Sequence, residues 1–87
     1  KSRLLTNKYE TTEMRDFAAI PIEVEVDLLE FEIGIPENLV IERFIVTPSI
    51  GEIIYEERKV IWQVVKPPTG RYNWEIFVKK KANRFLT

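Results

Sequence analysis

Three groups of side chains in this chain have the types and spacing to do chemistry. Glu23, Glu25 and Asp27 alternate along an extended stretch, which would set neighbouring carboxylates about 6.5–7 Å apart on one strand face. Carboxylates so placed can offer hard oxygen ligands to Ca²⁺ or act as a paired acid and base. An acid-rich outer strand is also the ordinary defence against edge pairing, and a solvated face is the expectation here. Lys79, Lys80 and Lys81, followed by Arg84 and Phe85, can touch phosphate, nucleic acid or an anionic membrane surface. Nucleic-acid binders are usually basic, whereas this chain has a net charge of −1, so a solubilising terminus is expected instead. Trp62 and Trp74 offer stacking surface, but both fall on inward phases of their strands, which points to core packing.

The rest of the catalytic inventory is missing. The chain has no His and no Cys, so triads built on His, His-ligated metal, thiolate nucleophiles and Cys clusters are excluded. The expectation is a non-enzyme with no cofactor and no metal. The core must form without disulfides, from the apolar 45% of 87 residues, which is a normal globular fraction for one small domain. No run approaches the roughly 20 apolar residues of a membrane span, and a soluble chain is expected. Its first residue is Lys1, and a processed protein or an excised domain is the expectation. The lack of Cys suits a reducing cytosol and a thermophile surface protein equally, so cell surface and cytoplasm both stay open. Abundant Ile, 31% charged residues and a single Gln, Gln63, lean toward a thermophilic source.

The elements that must carry these groups are strands. Gly51 to Val65 sets two runs of β-branched and aromatic residues around Glu56-Glu57-Arg58-Lys59, the pattern of a β-hairpin with one buried face. Val60, Trp62 and Val64 share its inner side. From Ile20 to Ile33 apolar residues alternate but change phase: Ile20, Ile22, Val24, Val26 and Leu28 share one face, then Leu29, Phe31 and Ile33 take over. A period of two jumps by one residue only at a bulge or where the chain switches sheets, and one of these is expected near Leu28-Leu29. Pro21 marks an edge or a strand start, since it cannot donate to a ladder. Gly34 to Asn38 is a turn, Leu39 to Thr47 a strand with apolar residues on both faces, and Lys66 to Gly70 a rigid connection. Arg71 to Lys79 is the last clear strand, with Tyr72, Trp74, Ile76 and Val78 inward. Residues 1–19 read as an edge strand around Leu4, Leu5 and Tyr9, then a loop or one helical turn. Six or seven strands about ten residues apart, with no room for crossover helices, predict an all-β antiparallel sandwich.

Two features concern contacts with partners. Residues 1–57 hold 5 Lys/Arg against 13 Asp/Glu, while residues 58–87 hold 8 against 1. Interleaved strands would mix these charges in space, whereas separation would favour head-to-tail association, with the C-terminal cations meeting the acidic stretch Glu23-Glu25-Asp27 of another copy. Phe77 lies on an outward phase, and Ile61 and Val65 lie opposite Trp62. If their strands are neighbours, Ile61, Val65 and Phe77 form one exposed apolar patch, unless Leu4-Leu5 or Phe17 covers it. The candidate contact residues are therefore Ile61, Val65, Phe77, Lys79, Lys80 and Lys81.

Ile35-Pro36-Glu37-Asn38-Leu39, then Gly51, Val60-Ile61-Trp62-Gln63-Val64, Pro68-Thr69-Gly70 and the alternating Tyr72 to Val78 follow one another in an order that resembles the immunoglobulin-like conserved-repeat domains of archaeal and bacterial surface proteins. The medium-chain homology domains of vesicle-coat adaptors share a similar order. The resemblance covers about residues 22–80 and implies an immunoglobulin-like sandwich that works by scaffolding and partner binding, with no catalytic residues to carry over. The expected function is a structural or protein-interaction module, a bead of a surface protein or a subunit of an assembly that associates with itself or a protein partner. Two alternatives stand beside it: an intracellular adaptor module that takes a peptide at a strand edge, and an accessory carbohydrate or nucleic-acid binding domain.

Overall fold

The computed structural model describes residues 3–81, which form seven strands in two facing sheets and no helix. None of the described segments is therefore a helix able to cross a membrane. The strands are β1 (Leu4–Glu10), β2 (Arg15–Ile22), β3 (Leu28–Gly34), β4 (Leu39–Thr47), β5 (Glu52–Tyr55), β6 (Lys59–Val65) and β7 (Gly70–Lys80). One sheet has the order β1-β3-β6-β5 and the other β2-β7-β4. All pairs are antiparallel except β1 with β3, which run parallel, a departure from the antiparallel expectation. The parallel pair is possible because β1 and β3 are not consecutive: the chain visits the other sheet as β2 between them.

The strands that read most clearly in the sequence build the core. Leu29, Phe31 and Ile33 of β3, Val60, Trp62 and Val64 of β6, and Tyr72, Trp74, Ile76 and Val78 of β7 are all buried. Each set is one phase of a period-2 alternation, so each strand turns one complete face inward. Trp62 stacks on Phe31 with ring centroids 5.1 Å apart and meets Tyr72 of the opposite sheet at 5.9 Å. Tyr9 lies edge-on to Trp74 at 5.1 Å. The polar ends of two core aromatics reach backbone acceptors: Trp62 Nε1 donates to the Ile50 carbonyl at 2.8 Å, and the Tyr72 hydroxyl to the Pro68 carbonyl at 2.6 Å. Such partners remove the cost of burying a donor, and both lie on the connections that flank the hairpin.

Three local expectations are corrected or resolved. Arg15 to Ala19 belong to β2 and form no helical turn, because pairing with β7 over Arg15↔Phe77 to Ile22↔Gly70 overrides the weak helical preference of two alanines. The phase change between Ile22 and Leu29 is a switch of sheets: β2 ends at Ile22 in the three-stranded sheet and β3 begins at Leu28 in the four-stranded one. Glu23 to Asp27 make the crossing, and Val24, expected on the core face, is 57% exposed there. Finally, Glu42 is an extra residue in β4, where the register passes from Ile41↔Val78 to Arg43↔Phe77. This bulge explains the apolar residues on both faces of β4: Phe44 turns inward while Ile45 turns out.

Candidate interaction surface

The acidic stretch singled out for metal or acid–base chemistry is not a strand face. Glu23, Glu25 and Asp27 are exposed in the β2–β3 crossing. Asp27 Oδ2 accepts a hydrogen bond from the Arg3 amide at 2.7 Å, and the Asp27 carbonyl accepts one from Lys66 N at 2.8 Å, so Asp27 ties the connection to its neighbours. Among the described residues no group of three acids is placed to hold a metal ion. The resolved pKa shifts fall on Tyr9 and Tyr72, both raised by burial and both part of the packing.

The six candidate contact residues are divided between surfaces. Ile61 and Val65 point outward from β6, whereas Phe77 points outward from β7 in the opposite sheet, so the single patch they were expected to form is not assembled. β6 and β7 are consecutive in sequence, but the Lys66–Thr69 connection carries the chain across the sandwich rather than into a hairpin. Val65, 72% exposed, lies level with Leu28 and, through it, Leu4. Ile61 is half-buried between Glu32 and Ile54. Lys79 shares the outward phase of Phe77 and stands opposite Val40. Lys80 and Lys81 are exposed at the end of β7, where Lys81 N donates to the Asn38 carbonyl at 3.0 Å.

Around Phe77 the three-stranded sheet presents an outer face built in cross-strand rows. In one row Arg15, Phe77 and Arg43 stand side by side. The two guanidinium carbons lie 5.5 and 4.8 Å from the Phe77 ring centroid, so the ring is gripped by a cation from each neighbouring strand. In the next row Glu75 stands between Phe17 and Ile45. Arg15 Nε donates to Glu75 Oε2 at 2.6 Å, and the same guanidinium makes a second contact through Nη2, which ties the two rows diagonally. Phe17 is 68% exposed. Ala19, Asn73 and Thr47 form the third row. These shorter side chains leave a shallow open cavity of about 360 Å³ beside the Phe17–Ile45 row, and Asn73 Oδ1 is buried there without a partner.

The face is basic as well as aromatic. Arg15, Arg43, Arg71 and Lys79 outnumber the two acids there, Glu75 on the outward phase and the bulge residue Glu42 beside Arg43 and Phe77. The outer face of the four-stranded sheet has the opposite balance: Glu10, Glu30, Glu32 and Glu52 outnumber Lys8 and Lys59. Lys59 Nζ, 3.7 Å from Glu32, offsets part of that charge, and Glu30 Oε2 accepts a hydrogen bond from the neutral Gln63 Nε2 at 2.6 Å. Phe17, named in the sequence only as a cover for the Ile61–Val65–Phe77 patch, and Arg15, Arg43 and Ile45 were not singled out as contact residues. The period-2 series Arg15, Phe17, Ala19, Pro21 was the signal for the first two, masked by its alanines and its lack of a strongly apolar inner face.

Neither a protein-family model, nor a curated protein, nor a solved structure matches this chain.

Proposed function

We propose that this chain is a non-catalytic interaction module of immunoglobulin-like build, a bead of a surface protein or a subunit of an assembly, which meets its partner through the outer face of β2-β7-β4. The observation that carries this reading is Phe17, 68% exposed on a paired strand next to an arginine-gripped Phe77. Aromatic residues and Arg are enriched where protein partners bury surface, and a sheet holds them in place before binding, so little ordering cost is left to the encounter.

The immunoglobulin-like part of the reading is supported by strand order and by one corner. The run β3-β6-β5 and the pair β4-β7 follow the B-E-D and C-F pairings of that fold. Tyr72, near the start of β7, donates its hydroxyl back to Pro68, as the tyrosine corner of such sandwiches does. Two edges differ from it: β1 lies parallel to β3, and β2 takes the place beside β7 that a C-terminal strand fills in immunoglobulin domains. Kinship with the surface conserved-repeat domains belongs to the same proposal.

The test uses a short polyglutamate peptide as an acidic probe against the ¹⁵N-labelled chain. Amide shifts confined to β2, β7 and β4, and lost in Phe17→Asp/Arg43→Glu, are the expected result. No binding, or shifts only around Lys79 to Lys81, would overturn it. Peptide addition at a strand edge is a second reading, favoured by β1. The other edges are blunted by Pro21 in β2, the bulge in β4 and the four-residue length of β5, whereas β1 runs seven residues in unbroken register.

A further inference from the structure

The fold separates charge on its two outer faces, the basic one drawing Arg15 and Arg43 from the acid-rich part of the sequence. At the ends of the sandwich it does not: Arg3 and Lys66 lie among Glu25 and Asp27 at one end, and Glu37 and Glu57 lie among Arg58 and Lys81 at the other. The expected contact between the lysine cluster and the Glu23-Glu25-Asp27 stretch would therefore bring two mixed surfaces together. The outer faces are instead each dominated by one sign, and each has an apolar centre. On the basic face this is Phe17 with Ile45, and on the acidic face Ile61 with Ile54, level with one another across β6 and β5 and next to Glu32.

We propose that the occupant of the basic β2-β7-β4 face is a second copy of this chain, which presents the acidic outer face of its β1-β3-β6-β5 sheet. The inference rests on the interaction-module reading above and names its partner. Arg43 and Arg15 meet the Glu30 and Glu32 side of the next copy, Phe17 and Ile45 pack on its Ile61 and Ile54, and opposite potentials steer the encounter. The two surfaces are different, so the contact is heterologous. Each copy keeps one face free, and growth gives a ring or an open stack rather than a closed dimer.

Sedimentation velocity of the 87-residue chain decides, with two variants checked for native melts. Phe17→Asp/Arg43→Glu disables only the basic face, and Glu30→Lys/Glu32→Lys only the acidic face. The wild type is expected to form a concentration-dependent series of oligomers and each variant to stay monomeric. An equal mixture of the two variants should form dimers and nothing larger, since it contains one intact basic face and one intact acidic face per pair. If the acidic-face variant fails to fold, Glu52→Lys/Ile61→Asp replaces it. A wild type that stays monomeric at the highest attainable concentration, a mixture that stays monomeric, or an acidic-face variant that assembles like the wild type would each overturn the proposal. The polyglutamate titration separates the two readings: binding to β2-β7-β4 with a monomeric wild type refutes self-stacking and leaves the interaction module standing, while loss of both refutes both.

Discussion

At the scale of single residues, the aromatic core determines how the fold responds to truncation and to pH. Trp62 is fully buried, stacked on Phe31, close to Tyr72 and hydrogen-bonded to Ile50, so replacing it removes contacts in both sheets. Trp62→Ala should cost about 3–5 kcal/mol, read as a drop in urea midpoint at unchanged slope. A near-neutral melt would remove the hairpin from the core. Burial also pushes the Tyr9 and Tyr72 hydroxyls above their ordinary value of 10.0. Above that value the unfolded chain ionises first, and the native state then holds more protons. This part of the stability is fully present below the unfolded value and is lost as the pH rises through the raised folded values. Denaturant melts across the alkaline range should show the wild type falling more steeply than Tyr9→Phe/Tyr72→Phe, whose rings cannot ionise. Equal slopes would show that the two hydroxyls play no part. Tyr72→Phe alone should cost about 1 kcal/mol at neutral pH through loss of the Pro68 bond.

At the scale of elements, the β5–β6 hairpin depends on how β5 is entered. Gly51 has a φ of 87°, and a Cβ built there would lie 2.3 Å from the Gln63 carbonyl oxygen, with the strand that carries Trp62 directly behind it. Gly51→Ala must therefore strain its own backbone and displace β6; a loss of about 1–3 kcal/mol is expected, measured by thermal melt. An unchanged melt would show that the approach relaxes freely. Legibility follows the same physics. Strands β3, β6 and β7 were readable because each buries a complete face of large residues, which writes an unbroken alternation into the sequence. Strand β2 was not, because it is an edge whose inner phase includes Asp16 and Ala18, and its outward aromatic had no visible partner before pairing placed it beside Glu75. Sheet membership is less local still. Nothing in Lys66-Pro67-Pro68-Thr69 distinguishes a hairpin from a crossing, so Ile61 and Val65 were grouped with a Phe77 that faces the other way.

At the scale of the whole molecule, a net charge of −1 conceals two faces of opposite sign, and that arrangement fixes how association should answer to salt. Near physiological ionic strength charges are screened over about 8 Å, and at 1 M over about 3 Å, while apolar burial is not weakened in the same way. Added salt should therefore slow the encounter and shift the stack toward shorter species without dissolving it. The two disabling variants should then diverge. Glu30→Lys/Glu32→Lys acts through charge alone and should recover part of its self-association in moderate salt, because screening removes the repulsion it introduces. In Phe17→Asp/Arg43→Glu the new aspartate is an ionised group where Ile61 and Ile54 of the next copy would pack, a desolvation cost that salt does not relieve, so this variant should stay monomeric throughout. Sedimentation of both variants over a salt series measures this difference. Parallel recovery of the two would make the contact purely electrostatic, and recovery of neither would make it purely apolar. Either outcome is incompatible with a face built, as this one is, from an exposed phenylalanine set among arginines.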